Sequence, residues 1–185
     1  GIADDVRMKR LLLFVPLSIF AGFALMLALG LNNDPTHIPS VLIDKPMPQF
    51  ELSPVVPGQP GFSLADLKGH VSLVNVFGSW CGVCEEEHPT LVMLAQNKAV
   101  EIYGIDWKDE PADGAKWLAE HGDPYTRVGN DLSGRTALDL GVTGAPETFV
   151  VDRAGRVRYK QIGAITDDVW RDTLAPLIAR LERER

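Results

Sequence analysis

The chain has 185 residues, 45% of them hydrophobic, and a formal charge of −7. That length holds one domain and a further segment, and an acidic chain without basic clusters lacks the footprint of a nucleic-acid-binding protein. Its two cysteines, Cys81 and Cys84, exclude a structural disulfide framework and leave thiols for chemistry.

The further segment comes first. Leu11–Leu31 (LLLFVPLSIFAGFALMLALGL) contains no charged residue, and a helix of that length covers about 30 Å, the thickness of a bilayer's hydrocarbon core. Arg7, Lys9 and Arg10 precede it, and Asn32, Asn33 and Asp34 follow. The asymmetry puts residues 1–10 in the cytoplasm and the bulk of the chain outside it. A cleaved signal peptide is the competing reading, with Ala28-Leu29-Gly30 as the cleavage site, but the apolar run exceeds the usual length of about 7–15 residues. An uncleaved anchor over residues 11–31 is the preferred expectation, and both readings export the domain. Gly1–Arg7 precede the first methionine, Met8, and are set aside in reasoning about the fold.

Residues 32–49 carry Pro35, Pro39, Pro46 and Pro48 and read as an extended linker; the domain occupies residues 50–185. Phe50–Leu52 and Phe62–Leu64 flank a Pro/Gly-rich turn, predicting a hairpin-like N-terminal addition. Ala65–Gly69 reads as one helical turn ending on glycine. Val71–Phe77 (VSLVNVF) is nearly all apolar, the mark of a central strand covered on both faces. The helix after the cysteines puts Cys84, His88, Leu91 and Ala95 on one stripe, with Pro89 predicting a kink. Val100–Asp106 is a second buried strand, Ala112–His121 a short helix, Tyr125–Val128 a brief edge strand and Leu132–Leu140 another short helix. Thr148–Asp152 and Val157–Ile162 form a hairpin through Arg153-Ala154-Gly155. The last helix has Thr166 as N-cap, Trp170, Leu174, Leu177, Ile178 and Leu181 inward, and a bend at Pro176. Periodicity alone supports an α/β sandwich.

Cys81-Gly82-Val83-Cys84 joins a buried strand to the start of a helix. Free N–H groups and the positive dipole end there favour a thiolate at the first cysteine. The second, three residues on, can turn back and displace a mixed disulfide. A zinc site would need a second Cys-x-x-Cys or ligands from His37, His70, His88 and His121, of which only His88 is near in sequence; no metal is expected. Haem attachment needs histidine directly after the second cysteine, where this chain has Glu85. No cofactor is expected.

Asn75–Pro89 (NVFGSWCGVCEEEHP), Tyr103–Asp109 (YGIDWKD) and Gly141–Asp152 (GVTGAPETFVVD) resemble the membrane-anchored thioredoxins of cytochrome c maturation, called CcmG or DsbE. The similarity runs from about Phe50 to the C-terminus, and the anchor agrees with it. The resemblance implies a thioredoxin-like three-layer sandwich, with the catalytic domain in the periplasm and the anchor in a bacterial inner membrane. It implies Cys81 as the attacking thiol and Cys84 as the resolving one, together a redox-active disulfide. It implies a cis peptide at Ala145-Pro146 facing the cysteines, with the backbone of Ala145 open to a substrate segment. Thioredoxin has a buried aspartate six residues before its first cysteine; this chain has Asn75, which cannot titrate. Glu87, on the side of the helix that carries Cys84, is the replacement acid the resemblance suggests for proton transfer and redox tuning. Glu85 and Glu86 read as a solvated first turn. Glu147 resembles the family's acidic groove residue, or else simply begins a strand. Trp80 shields the thiols and contacts the partner, with core packing as the alternative; Asp106, Trp107 and Lys108 are expected to rim the groove.

Thiol chemistry alone does not set the direction of electron flow. Strong oxidants such as DsbA lie about 150 mV above thioredoxin, or about 7 kcal/mol of stabilisation of the reduced form. Here no histidine lies between the cysteines and three glutamates follow them; negative charge raises a thiol pKa and opposes such stabilisation. Reduction is expected, and the resemblance agrees. It implies an apocytochrome c, or a thiol protein of its maturation, as partner, and a membrane thiol reductant as electron donor. The alternatives are an apocytochrome-binding module without redox turnover, and a general disulfide isomerase or oxidase.

Overall fold

The computed structural model describes residues 15–27 and 41–184, which fall in two units, Gly1–Ile38 and Pro39–Arg185. In the first, residues 15–27 form a helix, α1, with exposed apolar side chains such as Phe20 and Met26. The flanks of the expected anchor lie outside the described residues. Among the described residues no helix is long and apolar enough to cross a membrane.

The second unit is built on a seven-stranded sheet in the order β2-β1-β5-β4-β3-β6-β7. Its strands are β1 (Glu51–Pro54), β2 (Phe62–Ser63), β3 (Ser72–Phe77), β4 (Glu101–Trp107), β5 (Arg127–Asp131), β6 (Glu147–Val151) and β7 (Val157–Ile162). All six residues of β3 are buried, as its continuous apolar run requires of a strand covered on both faces. It pairs in parallel with β4 (Phe77 beside Asp106) and antiparallel with β6 (Val76 beside Glu147).

Helix α2 (Gly82–Gln96) carries the chain from β3 to β4, and α3 (Pro111–His121) carries it from β4 to β5. Both crossovers step the same way along the sheet, so right-handed connections put them on one face. There they join α5 (Asp167–Val169) and α6 (Ala175–Arg183), burying Leu73, Phe77, Leu91, Trp117 and Ile178 in one core. Between β5 and β6 the chain forms α4 (Arg135–Asp139). The opposite face buries Val74, Val76, Ile105, Leu140 and Phe149, with Leu64 and Leu67 of the 3₁₀ turn Leu64–Leu67. The result is the expected three-layer thioredoxin-like sandwich.

Three expectations change. The strand expected at Tyr125–Val128 lies at Arg127–Asp131 and is interior: β1 pairs with it antiparallel, Ser53 beside Asn130, so the predicted hairpin covers the edge. The linker does not extend to residue 49. The Asp44 N–H donates to Val157 O at 2.7 Å, the Met47 N–H donates to Gly155 O at 2.9 Å, and Met47 is buried. The last helix keeps Thr166 as cap, with the Val169 N–H donating to its hydroxyl. It passes Pro176 through a π-helical segment, Trp170–Leu174, in which the Ala175 N–H reaches back to Trp170 O. Proline has no N–H to give the regular ladder, and the wider turn absorbs the mismatch while Leu174, Ile178 and Leu181 stay buried.

Gly129 is where the hairpin seats on β5. A Cβ there would stand 2.5 Å from Leu52 Cβ and 3.1 Å from Phe62 Cβ. Gly129→Ala is therefore expected to lower stability by about 1–3 kcal/mol, read as an earlier urea midpoint. A midpoint equal to that of the parent chain would show that the close approach contributes nothing.

Candidate active site

Cys81 ends the loop after β3 and caps α2: its Sγ accepts the Cys84 N–H at 3.1 Å. The two cysteines are joined in a disulfide with a Cα–Cα distance of 5.2 Å. Cys81 is 6% exposed and Cys84 3%, so the first cysteine is the more accessible, at a rim formed by the exposed Trp80, Gly82 and Val83. Facing it, the Ala145-Pro146 peptide is cis and the Ala145 carbonyl oxygen lies 3.4 Å from Cys81 Sγ. One amide dipole thus points its positive end at the sulfur and one carbonyl its negative end. Glu85 and Glu86 are exposed on the first turn of α2, with Glu85 Oε1 3.7 Å from His121 Nε2.

Behind the cysteines lies a buried polar cluster. The Asn75 amide donates to Glu87 Oε1 at 2.7 Å and to Thr148 Oγ1 at 3.0 Å. Its carbonyl oxygen accepts the Tyr125 hydroxyl at 2.8 Å, which fixes which way the amide faces. Glu87 Oε2 accepts the Ile165 N–H at 2.6 Å. Burial pushes the Glu87 carboxyl up to about 7, against the lowering effect of those two donors, the Ile165 N–H ahead of Asn75. Sequence pointed to Glu87 as the acid near Cys84; it did not show Tyr125 and Thr148, which come from distant segments. His88 packs 4.4 Å from the Trp117 ring and donates to Gly122 O at 2.8 Å. Burial lowers its pKa, as befits a packed neutral imidazole.

The loop carrying Trp80 is anchored to the end of β4. Trp80 is 53% exposed, and its Nε1–H donates to Trp107 O at 3.1 Å. A Cβ at Gly78 would stand 2.5 Å from Trp80 Nε1, so the indole position requires glycine there. Core packing is thereby set aside for Trp80. The Ser79 N–H donates to Asp109 Oδ2 at 2.6 Å, an anchor that no sequence pattern signalled.

Two expected groove residues point elsewhere. Glu147 is fully buried: its Oε1 accepts from the Thr143 N–H and hydroxyl, and its Oε2 lies 2.8 Å from Lys160 Nζ. Lys160 also donates to Gly141 O at 2.8 Å. This carboxylate ties the loop before Pro146 to β7 and is not presented to an incoming chain, because an isolated buried charge needs its partner. Asp106 is likewise fully buried and does not rim the groove, whereas Lys108 is exposed and lies 5.0 Å from the Trp107 ring centroid.

The Redoxin family model matches residues 43–174. The chain is 47% identical to the thiol:disulfide interchange protein DsbE of Pseudomonas aeruginosa, over 94% of this chain and 96% of that protein. It is 43% identical to HelX of Rhodobacter capsulatus, over 93% and 98%, and 38% identical to DsbE of Escherichia coli, over 96% and 98%. Among solved structures, a DsbE-type protein from Chlorobium tepidum aligns with a TM-score of 0.59 at 28% identity, over 72% of this chain and 94% of that one. A secreted disulfide oxidoreductase of Mycobacterium tuberculosis shares the fold, with a TM-score of 0.58 at 21% identity, over 72% and 96%. With a vicinal thiol pair capping a helix in a thioredoxin-like sandwich, and relatives of this kind along nearly its whole length, the chain belongs to the DsbE/CcmG family of thiol:disulfide oxidoreductases.

Proposed function

We propose that this oxidoreductase works as a reductant in cytochrome c maturation, held at the outer face of a bacterial inner membrane by residues 11–31 with its catalytic domain in the periplasm. The observation that carries the direction is the setting of Cys81. One peptide N–H favours its thiolate, while the Ala145 carbonyl and the glutamates of α2 oppose it. A thiolate without strong stabilisation gives a reducing pair, because potential rises with the stability of the reduced form.

In this reading the reduced enzyme's Cys81 thiolate attacks one sulfur of a disulfide in an apocytochrome c, or in a thiol protein of its maturation. A mixed disulfide forms, and the partner's other sulfur leaves as a thiolate and takes up a proton. Cys84 then gives its proton to the Glu87 carboxylate and attacks Cys81. The second partner thiol leaves and the Cys81–Cys84 disulfide remains, two electrons having passed to the partner. A membrane thiol reductant restores the dithiol. Trp80 and the Ala145-Pro146 peptide border the substrate, Ala145 through its backbone, and Glu147 holds their loop from behind.

The reductant reading predicts a potential in thioredoxin's range, about −270 mV, against glutathione. A value near DsbA's, about −120 mV, would assign the chain to disulfide formation or isomerisation instead. Cys81→Ala should abolish reduction of a protein disulfide, and Cys84→Ser should retain the partner covalently. Cells in which Cys81→Ala supports full cytochrome c maturation would mark the groove as a binding surface only.

Glu87 carries a pH signature of its own. Its carboxyl titrates at about 7 when folded against 4.5 ordinarily. The folded state therefore holds the proton more tightly, and stability falls as pH rises from 4.5 through 7, by roughly 3 kcal/mol. Glu87→Gln should make urea midpoints measured from pH 4 to 8 fall less steeply, by the share that Glu87 contributes. It should also start lower at acid pH, since one amide oxygen cannot accept from both Asn75 and Ile165. The same substitution should flatten the pH dependence of exchange near 7; an unshifted rate profile would take proton transfer away from Glu87.

A further inference from the structure

We propose that Asp106 and Asp109 form a carboxyl pair holding one proton, and that this pair positions the Ser79–Trp80 turn leading into Cys81. The proposal rests on the family's thiol exchange at Cys81 and is independent of the direction of electron flow.

Asp106 lies at the end of β4 beside Phe77, the last residue of β3. It is fully buried, and Asp109, three residues on, is 5% exposed. The Asn130 amide ties the Asp106 side chain to the main chain of Asp109, donating to Asp106 Oδ2 at 3.1 Å and to the Asp109 backbone carbonyl at 2.9 Å. Asp106 Oδ2 presses on α3, where a Cβ on Gly114 would stand 2.3 Å away. Asp106 Oδ1 is buried and no donor reaches it. Asp109 Oδ2 accepts the Ser79 N–H, two residues before the attacking sulfur.

Among the described residues no cation is paired with these carboxyls: the neighbouring Lys108 Nζ stands over the Trp107 ring, 5.0 Å from its centroid. The charges acting on Asp106 come from Asp109 and, more weakly, from Asp113 of α3. Tyr125, from the loop before β5, feels Asp106 as a further negative neighbour. Two adjacent buried carboxyls cannot both ionise without a counter-charge. The proton belongs on Asp106: its Oδ2 accepts from Asn130 as a carbonyl would, no donor reaches its Oδ1, and a side-chain hydrogen bond to Asp109 gives the acid's hydroxyl an acceptor. Burial first, and the Asp109 charge second, push its carboxyl up to about 8. Asp109 Oδ2 keeps its short hold on the Ser79 N–H, and a carboxylate acceptor makes such a bond stronger than a neutral one.

The consequence is an alkaline limit on thiol reactivity that does not originate in the thiols. Loss of the Asp106 proton puts two like charges behind the turn, which loosens the hold on Ser79 and opposes a thiolate at Cys81. The test uses the full chain in detergent micelles on a Cys84→Ser background, so that one thiol is read. The iodoacetamide alkylation rate at Cys81 is followed from pH 6 to 10.

The parent curve should bend below a single-ionisation line above about pH 8. Asp106→Asn mimics the protonated acid and should match the parent within about two-fold at pH 6.5, then run above the parent curve beyond about pH 8, without its bend. Asp109→Ala should lower the rate about five-fold at pH 7, the cost of about one hydrogen bond, and Asp109→Asn, which keeps an acceptor for Ser79, should restore most of it. Superimposable curves for the parent and Asp106→Asn would overturn the one-proton pair. Equal rates in the alanine, asparagine and parent chains would overturn the positioning role. Should the alanine variant lack the parent's near-UV circular dichroism, the decision passes to Asp109→Asn and Asp106→Asn, and a bend persisting in both overturns the proposal. Failure here leaves the reductant reading intact, since that reading is decided by the potential and by Cys81→Ala.

Discussion

The buried amide of Asn75 joins four separate pieces of the molecule, and the site behind the thiols depends on it. From the middle of β3 it reaches Glu87 on α2, Thr148 on β6 and Tyr125 ahead of β5. A buried amide in an apolar sheet is tolerated only when its donors and acceptor are matched. Here Tyr125 gives the carbonyl its donor, and the two N–H groups go to Glu87 and Thr148. That arrangement fixes the azimuth of α2 over the sheet and hence where its first turn presents Cys81. It also gives a fully enclosed glutamate enough stabilisation to titrate near neutrality and not far above it.

The thiol centre is assembled from chain ends supported from behind. The end of β3 brings in Cys81, the loop before β6 brings in the Ala145 carbonyl, and the end of β4 anchors the intervening turn through Trp107 and Asp109. Each contact is backed by a buried charged group: Glu147 with Lys160 behind the first loop, Asp109 with Asp106 behind the second. Charged groups in such positions do little for stability, but they hold backbone in one place. An exchange reaction that needs three sulfurs nearly in line has a use for that.

Much of this was legible from residue order. The buried run of β3, the helix after the cysteines, the hairpin at β6 and β7 and the Thr166 cap all follow from local pattern, and the Pro/Gly turn announced the N-terminal hairpin. The edge position given to the fifth strand failed because periodicity carries no information on which neighbour pairs with it. The tether was read too long because proline composition does not register Met47 entering a core. At the site, the Cys81–Cys84 pair was visible from spacing, while Glu87 was singled out by the family resemblance. The inward turn of Glu147 was hidden, since its partner Lys160 is set by strand pairing. The Ser79–Asp109 bond spans thirty residues with no motif to mark it.

The covering of β5 has a bearing on the company this protein keeps. On that flank the sheet ends in β2, a strand of two residues, and on the other the 44–47 segment occupies the start of β7. Long bare margins recruit foreign polypeptide and seed aggregates. A thiol:disulfide oxidoreductase that must meet other chains is thereby kept from being templated by them along its sheet edges, which leaves the thiol end of the molecule as the place of exchange.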